Sequence, residues 1–145
     1  MSMTAYDELC AYTLSLGDPE FIHQHVVDAQ AAQAATTESK PIGVAFALAG
    51  LYLHLERGFT GREVQRAHMC LGKSGPPWPV FPLPGEGERG SVTADDVLAI
   101  PEGPTRAAAI DDWCRSVWAA WTAGPAGARV RAGVIRFLGE RQVVS

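Results

Sequence analysis

The chain of 145 residues carries 12 basic and 16 acidic side chains, a net charge of −4, and is 47% hydrophobic. That balance suits one globular domain whose core folds without a disulfide or metal staple, and no Lys/Arg cluster interleaves with aromatics as a nucleic-acid groove requires. Cys10, Cys70 and Cys114 are odd in number and lack C-x-x-C spacing, which argues against a disulfide framework or zinc finger and points to a reducing cytoplasm.

The opening MSMTAYDELC has neither a basic n-region nor an apolar h-region, so no secretory signal is expected. A first helix is predicted from about Thr4 to Leu16, with Tyr6, Leu9, Cys10, Thr13, Leu14 and Leu16 on its apolar side and Gly17 as its stop. Asp18 then has the chemistry of an N-cap and Pro19 that of a first-turn residue, so a second helix is expected from there through QAAQAA to TTESKP. The residue before Pro41 is pushed out of the helical region and ends it.

The run from Pro41 to Leu55 is apolar almost all round and too short to span a membrane, which predicts a central core helix over 41–57 closed by Gly58. Thr60 and Glu63 stand at capping-box spacing, placing a fourth helix over about 61–71. The segment GKSGPPWPVFPLPGEGERGS is too rich in Pro and Gly for a helix or a central strand. Its Trp78, Val80, Phe81 and Leu83 suggest that loop 72–92 is strapped over the core; a polyproline-type recognition segment is the functional alternative.

Beyond it, TADDVLAI reads as a short helix with Thr93 at its cap. A longer helix over about 105–123 sets Ile110, Cys114, Val117 and Trp121 on one stripe, flanked by Trp113 and Trp118, which is the spacing of a packed core face. ARVRAGVIRFLGE fits either a helix facing inward through Val130, Val134, Phe137 and Leu138 or an alternating strand; with no partner strand evident, a helix is expected. The whole reads as one all-α domain over 1–145, a compact bundle of about five to six helices with one long Pro/Gly/Trp-rich loop.

Residues 1–60 hold Lys40 and Arg57 against seven acids, whereas the end of the chain holds Arg129, Arg131, Arg136 and Arg141 against Glu140. These two regions can attract each other within a subunit or between copies in a homo-oligomer, or serve as two solvated faces.

Chemistry concentrates in FIHQHVVDAQ. His25 and Asp28 are three apart on the second helix and share a face, while His23 points elsewhere. A histidine and a carboxylate one turn apart supply two ligands to a zinc or iron ion, or form a catalytic acid/base dyad. Completion needs His54 or His68, since bundles build sites from facing helices, so His25, Asp28, His54 and His68 form the candidate metal set and His25 with Asp28 the candidate catalytic pair. No H-E-x-x-H, G-x-S-x-G or P-loop spacing is present. A hydrogen-bonded packing role explains each histidine equally well.

The segments YDELCAYTLSLGDPEFIHQHVVDA, KPIGVAFALAGLYLHLERGFTGREVQRAHM, WPVFPLP, VTADDVLA and WCRSVWAAW resemble those of a bacterial family of uncharacterised small proteins, the domain of unknown function 5946, over about residues 6–122. The resemblance implies a helical fold and singles out the same stretch. The family form H-x-x-V-D-A-Y-x-x-Q-H is met loosely at His25, Val27, Asp28, Ala29 and Gln33, and Gln30 and Ala34 depart from it.

Two functions follow as expectations: binding of a small molecule or metal ion in a pocket among the second, third and fourth helices, or a non-catalytic protein-interaction or oligomeric module. The second predicts an exposed apolar surface around Trp78, Phe81, Trp113 or Trp118. Neither nucleic acid nor membrane is expected as a partner.

Overall fold

A computed structural model describes residues 4–85 and 87–144. Among them the chain forms seven helices and no strand: α1 (Ala5–Ser15), α2 (His23–Gln33), α3 (Pro41–Arg57), α4 (Gly61–Ser74), α5 (Ala94–Leu98), α6 (Pro104–Trp121) and α7 (Gly124–Glu140). The all-α expectation holds, with more helices than five to six. The C-terminal stretch is helical, with Val130, Val134, Phe137 and Leu138 buried as the helical reading required.

The central position of α3 follows from its composition. Val44, Ala45, Leu48, Leu51 and Leu53 are all buried, and α2, α4, α6 and α7 pack around it. Local chemistry sets the helix ends. Thr4, Thr60 and Thr93 each complete a reciprocal capping box, satisfying N–H groups that the first turn leaves free. Pro41 and Pro104 occupy first-turn positions, and Gly58 closes α3 in the left-handed conformation with φ of 71°.

The start of α2 differs from the expected one. Asp18 caps a tight turn, its carboxylate accepting from the N–H groups of Glu20 and Ile22, and the helix begins four residues beyond Pro19, at His23. Phe21 lies between them with φ of 56°, a conformation that bulky side chains rarely adopt. Tertiary contacts hold it there: the Arg62 N–H donates to the Glu20 carbonyl at 2.8 Å, and Gly61 packs so closely that a Cβ would fall 1.8 Å from the Phe21 carbonyl oxygen. The first turns of α2 and α4 are thereby locked together.

The Pro-rich segment after α4 does lie against apolar side chains. Trp78 meets Phe46 and Phe137 edge-on, and the Phe81 ring packs over Gly133, where a Cβ would sit 2.9 Å from it. Arg89 donates to the carbonyls of Pro84, Gln33 and Ala35, and Arg141 to those of Gly75 and Pro77. Of the apolar surface expected of an interaction module, the Trp113 and Trp118 part is not formed, whereas Trp78 stays half-buried on the strap. Trp113, Trp118 and Trp121 are buried, and their indole N–H groups donate to the side chains of Gln33 and of the exposed Glu56 and to the Ala32 carbonyl. Among the described residues, the acidic and basic regions meet in one ion pair across the bundle, between Glu56 of α3 and Arg131 of α7.

Candidate functional site

The end of α3 shapes the first cluster. Because Gly58 turns the chain back, the Phe59 carbonyl comes over the last turn of the helix and accepts from Nδ1 of His54 at 2.9 Å. The other ring nitrogen, Nε2, donates to Asp111 of α6 at 2.8 Å. With acceptors on both nitrogens, the form these bonds favour is the one with two N–H groups, the imidazolium. Burial alone would lower the His54 pKa, but its hydrogen bonds to Asp111 and Phe59 outweigh that and raise it. Asp111 is held below the usual carboxylate range by the same bond.

His25 of α2 lies flat on this cation, with ring centroids 3.5 Å apart and planes inclined by 18°. Burial first, and then the adjacent charge of His54, lower its pKa to about 4, so it is neutral at physiological pH. No hydrogen bond to its ring is found among the described residues. A neutral imidazole stacked on an imidazolium keeps a free acceptor nitrogen while a charged neighbour fixes its plane. These rings and Asp111 line a cleft of about 330 Å³, with Glu20, Ile22 and the Gly58–Gly61 turn on its other walls. The strained Phe21 stands between two of those lining residues, and such backbone strain gathers at functional sites.

Asp28 takes a different direction. It points at Gly50 of α3, which leaves the room it needs: a Cβ there would lie 2.0 Å from Asp28 Oδ2. Oδ1 accepts from the Gln24 side-chain amide at 3.1 Å, while Oδ2 has no partner among the described residues. Burial raises the Asp28 pKa well above its ordinary value, which favours the neutral acid. His68 of α4 approaches to 4.0 Å but donates from Nε2 to the Phe46 carbonyl at 2.8 Å, and burial lowers its pKa. Burial thus disfavours the charged form of both groups. His23 faces α1 and bonds the Thr13 hydroxyl.

The four candidate residues thus fall into two pairs, His25 with His54 and Asp28 with His68. No hydrogen bond joins His25 to Asp28. Among the described residues, no three His, Cys, Asp or Glu side chains are placed to hold a metal ion together. Sequence reasoning missed Asp111. It sits beside the buried stripe in AIDDW, indistinguishable there from its neighbour Asp112, which turns outward to Arg115.

A family of unknown function, DUF5946, matches residues 3–122. The chain belongs to this family. Both residue pairs and the cleft lie within the DUF5946 span, whereas α7 lies beyond it. No curated protein and no solved structure matches the chain.

Proposed function

We propose that this DUF5946 protein binds a small molecule bearing a hydrogen-bond donor, an amine or hydroxyl, in the cleft between α2, α3 and α6. His25 is the acceptor and Asp111, whose side chain is 40% exposed, meets the ligand's positive or polar end. The observation carrying this reading is the unbonded, neutral His25 ring, 4% exposed, held flat against the His54–Asp111 pair in the wall of a cleft. Its volume lies at the lower end of the range for small-molecule sites.

The position of the His25 pKa favours binding over catalysis. A general base works best with a pKa near the operating pH, and a group at about 4 accepts a hydrogen bond at neutral pH but holds a transferred proton weakly. In this reading Asp28 is a structural acid at the α2–α3–α4 junction rather than His25's catalytic partner. A zinc or iron ion is the second reading, supported by the same unbonded nitrogen, since neutral imidazole is what such ions ligate.

The test is a thermal-shift panel of small primary amines, amino alcohols and polyols, with Zn(II) and Fe(II) as separate arms, on wild type, His25→Ala and Asp111→Asn. A stabilising amine or alcohol whose effect disappears in both variants is expected. Stabilisation by metal alone, lost with His25, would replace the first reading with the second. An effect indifferent to both substitutions would overturn both readings.

A further inference from the structure

A larger recess, of about 580 Å³, lies on another side of the molecule between the Pro-rich strap and α7. Its floor is apolar. Trp78 and Phe81 come from the strap, Val130 and Phe137 from α7, and Gly133 lets the Phe81 ring rest on the helix backbone. Its rim is cationic: Arg129, Arg136 and Arg141 line it against one acid, Glu140.

The arginines differ in their state. Arg141 is committed to the strap, donating to Ser74, Gly75 and Pro77 with its guanidinium over the Trp78 and Phe137 rings. Arg129 and Arg136 are exposed, and neither takes part in a salt bridge among the described residues. They are seven residues apart, two helical turns or about 10 Å, so they stand at either end of the recess on one face of α7. Val80, 78% exposed, adds an uncovered apolar side chain at the edge.

An aromatic and apolar floor between two uncompensated guanidinium groups, on a chain of net charge −4, is complementary to a compact organic anion. A volume within the small-molecule range fits such a ligand. We infer that the recess between the strap and α7 is a binding site for an organic anion with an aromatic or aliphatic body, a carboxylate, sulfonate or phosphate. The apolar body lies against the half-buried Trp78 and the exposed Val80 of the strap, and the anionic group is taken by Arg129 or Arg136. This site is independent of the imidazole cleft.

The experiment titrates the full chain with 8-anilinonaphthalene-1-sulfonate, an aromatic monoanion, beside neutral N-phenyl-1-naphthylamine, following fluorescence. Wild type, Arg129→Glu/Arg136→Glu and, as an exposed control, Arg57→Glu are compared, with circular dichroism verifying that each is folded. Saturable binding of the sulfonate at one equivalent is expected, weakened by at least about tenfold in the double variant and unchanged in the control. The neutral probe should bind more weakly and ignore the reversal. Equal sulfonate binding by wild type and the double variant would overturn the inference, as would equal affinity for both probes. Light scattering on the same samples completes the test: a wild-type dimer that the double charge reversal dissociates would assign the recess to a second copy of the chain instead.

Discussion

Replacing His25 with Asn tests whether burial and the His54 cation hold this ring neutral. In the folded protein its pKa is about 4 against 6.5 for the unperturbed group. A depressed histidine binds fewer protons folded than unfolded, so its contribution to stability is fully present above 6.5 and is lost as pH falls toward 4. The full shift corresponds to about 3 kcal/mol at 1.36 kcal/mol per pKa unit. Between about pH 7.5 and pH 4.5 the linkage relation gives a loss of roughly 2.5 kcal/mol from this residue. His23 and His68 are also depressed and add losses of the same sign, whereas His54 and Asp28 are raised and oppose them. The measurement is therefore the difference between urea unfolding of wild type and His25→Asn at several pH values, in which the other groups largely cancel. Asn lacks the titration, so the wild-type advantage should shrink by about 2.5 kcal/mol on acidification. Parallel pH profiles for the two proteins would refute the assignment of a buried, neutral His25.

Three further outcomes are expected. Asp111→Asn should lower the His54 pKa, read from the imidazole C–H shifts by NMR. It should also remove a stabilisation that in wild type is present below pH 6.5 and lost as pH rises through the raised folded value; because Asp111 is 40% exposed, the effect should be no more than about 1 kcal/mol. Gly50→Ala should destabilise by about 2–3 kcal/mol in urea unfolding, since its methyl group collides with Asp28, and Gly50→Ala/Asp28→Ala should recover part of that loss. Asp28→Asn should abolish a decline in stability with rising pH, because an acid whose folded pKa is raised contributes fully below its unfolded value of 3.8 and loses that contribution above it; a wild-type profile parallel to that of the Asn variant would contradict the neutral acid.

Much of the fold is legible in the sequence because it depends on neighbours along the chain. Thr60 with Glu63 and Thr93 with Asp96 mark helix starts through bonds three residues long, Gly58 marks a stop, and the apolar run of α3 requires burial wherever the other helices pack. The same local chemistry misplaces the start of α2. Asp18 and Pro19 satisfy the rules for a helix N-terminus, but the Arg62–Glu20 bond and the close approach of Gly61 hold Phe21 out of the helical conformation.

The candidate site divides along the same line. Periodicity on α2 directs attention to His25 and Asp28, and composition supplies the histidines. Only the packing of α2, α3 and α6 decides that His25 stacks on His54, that Asp111 lies 57 residues away in sequence yet 2.8 Å away in space, and that Asp28 turns toward the gap left by Gly50. Residue type determines which groups can titrate or ligate. Which of them stays charged, and which stays free to bind, depends on desolvation and on partners far along the chain, and those exist only once the helices pack.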